Sequence, residues 1–265
     1  MKKKILYMCS FVPYGTLEGA GFDMINIADI QQPVTGNLKL SGNLCSFVNY
    51  CQHMDVLAYD GIIFTNCCNS MQRLYDYVTY YYPNIFTYMM EIPRHHPSIQ
   101  VDDLMVKLAQ HFGIKIGCDN RIEPKNQPYT KEHIWVISSA MHKNYKEDLI
   151  KLFHENSLIF DTCTSENRGD QLRSNKRSDV SCPRMMNYYQ WFEKRIPLVK
   201  GLIFMMVGRC DHSMFLYPEL KRICSKYACN VLYVEEEFTL RISERSKIRY
   251  EAFKECLTIK NGEKL

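Results

Sequence analysis

Two segments far apart in the chain repeat one layout, and the repeat limits what the chain can fold into. The first runs Asp60-Gly61-Ile62-Ile63-Phe64-Thr65-Asn66-Cys67-Cys68-Asn69-Ser70-Met71. The second runs Lys200-Gly201-Leu202-Ile203-Phe204-Met205-Met206-Val207-Gly208-Arg209-Cys210-Asp211-His212-Ser213-Met214. Each has a glycine, three apolar residues ending in Phe, a short link, and a cysteine with an amide or acid behind it. Each leads into a helical pattern. A short apolar run of this kind suits a strand buried in a parallel sheet. Ligands bind at the carboxyl ends of such strands in open α/β folds. The chain therefore aims a thiol at that edge once from each half, the arrangement that a cofactor held between two lobes needs.

The rest of the chain alternates in the same way. Strands are expected at Ile5 to Cys9, Gly61 to Thr65, Ile85 to Ile92, His133 to Ser138, Leu158 to Phe160, Gly201 to Met206 and Val231 to Val234. Helical spacing covers Leu44 to Met54, Met71 to Tyr82, Asp102 to Phe112, Lys146 to His154, Met185 to Arg195, Pro218 to Tyr227 and Ser243 to Leu257, with Ile248, Phe253 and Leu257 on the apolar side of the last. Strands alternating with helices predict an α/β protein with parallel sheets. A polar stretch over 117–130, with Gly117, Pro124 and Pro128, reads as a linker. It divides the chain into an N-terminal lobe, 1–130, and a C-terminal lobe, 131–265. Residues 164–182 read as a polar loop.

Composition narrows the partners. The chain has 265 residues, 46% hydrophobic and 23% charged, with a net charge of +4. Such a mild basic balance is not the footprint of a nucleic-acid binder. No apolar run reaches the length of about 18 residues that a membrane span needs. The opening Met-Lys-Lys-Lys meets Pro13 and Gly15 too soon for a signal peptide, so a cytoplasmic location is expected. The twelve cysteines then stand in a reducing compartment, where thiols stay free or bind metal.

No phosphate-binding glycine loop, dinucleotide fingerprint, HExxH or GxSxG occurs, and no CxxC supports a zinc ribbon. Cysteines scattered over strand ends suit an iron–sulfur cluster, whose thiolate ligands can come from distant loops. Cys68 and Cys210 are the first two candidates. Cys45 is the third, because it precedes a helical pattern whose N-terminal amides would stabilise a thiolate. Buried structural thiols, redox pairs and zinc remain open on spacing alone.

Four stretches resemble the 2-hydroxyacyl-CoA dehydratase D-component family, which includes benzoyl-CoA reductase subunits and double-cubane cluster proteins. They are Cys9-Ser10-Phe11-Val12-Pro13 with Gly19-Ala20-Gly21-Phe22, then Leu44-Cys45-Ser46-Phe47-Val48, then Thr65 to Tyr75 with Glu91-Ile92-Pro93-Arg94. The fourth runs from Gly201 through Cys210-Asp211 and Val231 to Phe238 to Arg249-Tyr250-Glu251-Ala252-Phe253. The resemblance implies two Rossmann-like lobes, parallel sheets flanked by helices, and a [4Fe–4S] cluster in the cleft between them. By motif position its ligands are Cys45, Cys68 and Cys210. It also implies one-electron reductive or dehydrating chemistry by an oxygen-sensitive lyase or oxidoreductase component. The family's partners are a homologous subunit, in a heterodimer or homodimer, and an ATP-dependent activator that donates electrons. Its substrate is a small molecule such as an acyl-CoA.

Some residues depart from the family. Gly15 stands where it has Glu, Asn69 where it has Asp, and the stretch from Arg94 to Trp135 is shorter than its usual helical insertion. These departures leave a second reading beside the first, a non-catalytic or electron-relay partner of a larger homologous enzyme. His212, two residues after Cys210, is a candidate proton donor. His95-His96 read as a loop pair, Glu235-Glu236-Glu237 as solvated or paired with Arg, and the basic stretch Arg168 to Arg177 as a solvated loop, with a phosphate or carboxylate contact by Arg168 or Arg184 as the other reading.

Overall fold

Short apolar runs become strands here because each is bounded by glycine, proline or a polar turn and is rich in Ile, Val, Phe and Met. The structure is a computed structural model, and it describes residues 2–30, 40, 43–92, 101–113, 129–154, 157–164, 168–173, 182 and 184–259. In the first half β1 (Lys4–Tyr7), α1 (Tyr14–Gly19), β2 (Asp23–Asn26), α2 (Ser46–Cys51), β3 (Gly61–Thr65), α3 (Asn69–Tyr81), β4 (Phe86–Met90) and α4 (Val101–Phe112) follow in order. The second half has β5 (Ile134–Ser138), α5 (Lys143–Phe153), β6 (Leu158–Thr162), α6 (Arg168–Arg173), α7 (Tyr188–Arg195), β7 (Gly201–Val207), α8 (Asp211–Lys226), β8 (Asn230–Glu236) and α9 (Glu244–Ile259).

The strands form two four-stranded sheets, ordered β2-β1-β3-β4 and β6-β5-β7-β8. Every pairing is parallel. The expected α/β class with two parallel sheets flanked by helices is therefore present. Both sheets share one strand order, with the first strand of each half lying between the second and the third. The chain reverses direction across the sheet between β1 and β3, and again between β5 and β7. Such switch points open a crevice at the carboxyl ends of the strands. β3, β5 and β7 are buried along their whole length, as strands covered on both faces must be.

One apolar core runs through both halves, joining Leu6, Ile62 and Phe64 to Trp135, Ile203 and Phe204. Polar seams reinforce it. The Ser46 N–H donates to the Gly208 carbonyl at 2.9 Å, and the Ser46 hydroxyl accepts from the Phe238 N–H at 2.8 Å. On the other side, α6 grips the turn after β1. The Ser10 N–H donates to the Cys163 carbonyl at 2.7 Å, and the Gly169 N–H to the Ser10 carbonyl at 2.9 Å. Arg168 pairs with Asp161 and donates to Ser10 Oγ and the Thr162 carbonyl, both at 2.8 Å. Asp170 accepts from the Gly15 and Thr16 N–H groups at 2.9 and 3.0 Å. A Cβ at Gly169 would sit 2.4 Å from the Phe11 carbonyl oxygen, so only glycine allows this approach.

His142 caps α5 and joins the halves too. Its Nδ1 accepts from the Asn144 N–H, and its Nε2 meets the Ile30 carbonyl, both at 3.1 Å. That pair of partners fixes a neutral ring, and burial holds its pKa below the ordinary 6.5. Below that pH the unfolded chain binds a proton that the folded chain refuses, so stability must fall on acidification. Urea midpoints should drop more between pH 7 and about pH 5.5 in the wild type than in His142→Asn, which keeps a cap acceptor but cannot titrate. Equal drops would dismiss this role.

Several expectations need correction. The polar stretch 164–182 contains α6, and Arg168 is buried rather than solvated. The helix expected from Pro218 begins at Asp211, directly behind Cys210. Pro218 is exposed, so the carbonyl it leaves unbonded, that of Met214, can reach water. Ile248 is 65% exposed, and Tyr250 joins Phe253 and Leu257 on the buried side instead. Most of the expected linker, through residue 128, and the His95-His96 pair lie outside the described residues. Among the described residues, no helix is long and apolar enough to cross a membrane.

Candidate functional site

The segments that leave β1, β3, β5, β6 and β7 converge on one cavity of about 70 Å³. Both switch points therefore contribute to it. Seven cysteines line the cavity: Cys9, Cys45, Cys67, Cys68, Cys163, Cys182 and Cys210. His212, Ser213, Ser139 and Arg184 add polar groups, and Met8, Phe11, Phe47, Val48 and Met71 complete the wall.

The structure brings Cys45, Cys68 and Cys210 together here, and each occupies the same local position. Cys45 is the N-cap of α2, Cys68 of α3 and Cys210 of α8. Glycine-led strands end just before Cys68 and Cys210, so the thiol sits where the chain turns from strand into helix. Free N–H groups of a first helical turn favour a sulfur anion. The Met71 N–H donates to Cys68 Sγ at 3.4 Å, and the Ser213 hydroxyl to Cys210 Sγ at 3.4 Å. Cys45 and Cys210 are buried, while Cys68 is half-buried.

Burial pushes the Cys45 thiol up to about 11, with the Cys210 and Cys67 thiols adding to the rise and the Val48 N–H opposing it. Burial, with Cys67 beside it, lifts Cys9 to about 12. The hydrogen bond from Cys163 holds Cys182 below the ordinary thiol range against burial, helped by the charges of Arg168 and Arg184 and by the Arg184 N–H. Cys163, as the other half of that pair, is raised well above the ordinary thiol range. Cys67 is raised too, first by its hydrogen bond with Cys68 and then by burial.

His212 also lies on the cavity, with Nε2 2.9 Å from the Cys67 carbonyl oxygen. It ties the start of α8 to the link between β3 and α3. Of the acidic run, Glu237 pairs with exposed Arg209, and Glu236 accepts from Tyr145 and Ser243. Neither lines the cavity, and Cys224 and Cys256 do not either.

Sequence reasoning left open whether Cys9 and Cys163 take part at the cluster and placed no role on Cys182. The first two obey the same strand-end rule as Cys68, since they follow β1 and β6. Cys182 follows no apolar run, and only the folded chain brings it to Cys163.

No curated protein matches the chain. A family match covers most of the first half, where Cys9, Cys45, Cys67 and Cys68 lie, and stops before the segments that bring Cys163, Cys182 and Cys210. Residues 3–123 match the model of the 2-hydroxyglutaryl-CoA dehydratase D-component family, and the resemblance carried by Cys9 to Phe22, Cys45 and Cys68 is a likeness to that family.

Proposed function

We propose that the chain holds a [4Fe–4S] cluster in the thiol-lined cavity, with Cys45, Cys68 and Cys210 as ligands. It would serve as a component of a 2-hydroxyacyl-CoA dehydratase-like or reductase enzyme. The observation that carries this reading is that these three thiols, drawn from both halves, each cap a helix and line one cavity. Among the described residues, no group of three or more His, Cys, Asp or Glu side chains is placed to hold a single metal ion. Iron–sulfur clusters are held by Cys thiolates, the donor type that these three positions would supply.

When bound, such a cluster supplies single electrons and an open iron that acts as a Lewis acid. The residues of the chain have their own tasks. Helix N-termini and the Met71 and Ser213 donors stabilise the thiolates, and hydrogen bonds to ligand sulfur tune the potential of a cluster. Phe11, Phe47 and Val48 keep water from the wall. His212, whose Nε2 donates to the Cys67 carbonyl, would be the proton source at the cavity. By family likeness, a homologous subunit and an ATP-dependent activator would complete the enzyme.

Anaerobically purified protein should carry about four iron and four sulfide per chain and absorb broadly near about 400 nm. Protein that is colourless and iron-free after anaerobic reconstitution would rule the reading out. The four additional thiols favour a second reading, a larger cluster as in the double-cubane relatives. Iron well above about four per chain would select it.

A further inference from the structure

Two residues of the cavity wall each carry a buried donor atom that has no hydrogen-bond partner among the described residues. Arg184 Nε and Ser139 Oγ are both shielded from solvent and have no hydrogen-bond partner. A buried polar group left unpaired is costly, and a charged one most of all. Arg168 shows how this fold treats an arginine it uses for structure, giving it Asp161, Ser10 and the Thr162 carbonyl. Arg184 has no such set. Among the described residues, no Asp or Glu lines the cavity to balance it. The Cys67 and Cys182 thiols feel its charge, and its backbone N–H reaches Cys182, but its Nε stays unbonded.

Ser139 stands directly behind β5, at the switch point of the second sheet. The opposite hydroxyl bearer of that turn, Ser138, is spent on the Ala140 carbonyl at 2.8 Å. Ser139 is therefore the hydroxyl left free at the ligand edge. A guanidinium and a hydroxyl, both donors, point to an acceptor that is negatively charged.

We infer that Arg184 and Ser139 form an anion-binding subsite in the cavity, for a small ligand bearing a carboxylate or an inorganic oxyanion. The inference rests on the cavity being the reaction site and names the class of molecule it takes. Size sets a limit. The cavity is about 70 Å³, and a cluster on Cys45, Cys68 and Cys210 would take most of it, so only the few atoms of an anionic group fit beside it. The anionic end of the ligand enters, and any bulky remainder stays outside.

The test is calorimetric titration of anaerobically purified protein with sodium acetate and with sodium phosphate, at constant ionic strength and with acetamide as the neutral control. Iron per chain is measured on the same samples. Arg184→Gln should weaken anion binding by roughly ten- to a hundredfold, the usual loss for one charged hydrogen bond. Ser139→Ala should weaken it several-fold, and it carries the test alone if Arg184→Gln fails to fold. Iron content should not change in either. Binding of acetate alone assigns a carboxylate ligand, and binding of phosphate alone an inorganic oxyanion. The subsite is overturned if the wild type binds neither anion, if both variants bind as the wild type does, or if Arg184→Gln loses its iron. In the last case Arg184 serves to balance thiolates. Anion binding that depends on Arg184 in iron-free protein would keep the subsite and sink the cluster. A full iron complement with no anion binding would do the reverse.

Discussion

Cys210→Ala should strip the chain of its iron, from about four per chain to below about one, while leaving it folded. The reason is local. Cys210 caps α8 by position only, and its side chain accepts no bond from the helix backbone. Alanine there loses a hydrogen bond from Ser213 and a buried sulfur, an effect on stability of about 1 kcal/mol. A cluster deprived of one of three ligands has no such margin. Cys45→Ala should behave alike, because Cys45 also makes no side-chain cap bond. Cys68→Ala gives up the bond from Met71 in addition. The exposed Cys256 supplies the control, and Cys256→Ala should keep the full iron content. Cys163→Ala and Cys182→Ala divide the two readings of the cavity. They retain iron if three thiols suffice and lose it if the larger cluster is present. Iron and sulfide assays with the visible spectrum decide, and an unchanged content in Cys210→Ala would end the assignment.

Arg168→Ala should cost roughly 3–5 kcal/mol of unfolding free energy, the penalty for stranding a buried charge. Asp161 is buried, and burial raises its pKa even with the guanidinium beside it. Without Arg168 it has no nearby charge of that strength, and Ser10 and the Thr162 carbonyl lose a partner as well. The penalty should shrink as pH falls, because a carboxyl with a raised pKa is protonated and neutral there. The double change Arg168→Met with Asp161→Leu should recover much of the loss, since apolar replacement of a buried pair is often close to neutral. Urea unfolding at neutral and acidic pH measures all three. A loss below about 1 kcal/mol at neutral pH would mean that the buried pair does not anchor α6.

What the sequence made legible depended on which signal each segment carries. The apolar run Gly61 to Thr65 coincides with β3, because a strand buried on both faces has no polar interruption to blur it. The end of α4 at Gly113 was equally clear, since a residue at φ 62° there favours glycine. α6 was hidden because its sequence, Arg168 to Arg173, has no apolar stripe, and it is held by the Arg168–Asp161 pair and by hydrogen bonds of Arg168 and Asp170 to the other half. The start of α8 was hidden by Pro218, a residue that usually opens a helix and here interrupts the exposed face of one. Ile248 misled because helical spacing shows that residues share a face and not which face is covered. At the site, three of the seven cavity thiols followed from strand-end position and family likeness. Cys182 did not, because only the fold defines its neighbours.

The shared strand order has a further consequence. β3 and β7 hold the same place in their sheets, and each passes a thiol to the same cavity. Neither half owns a complete set, since Cys45 and Cys68 come from one and Cys210 from the other. Any ligand gripped by both therefore acts as a cross-link. Its binding energy adds to the cohesion of the halves, because it binds the joined state and not the parted one. Chelation would then do more than bleach the protein. It would withdraw a staple and leave the core, the Ser46 seam and the Arg168 grip to hold the halves alone.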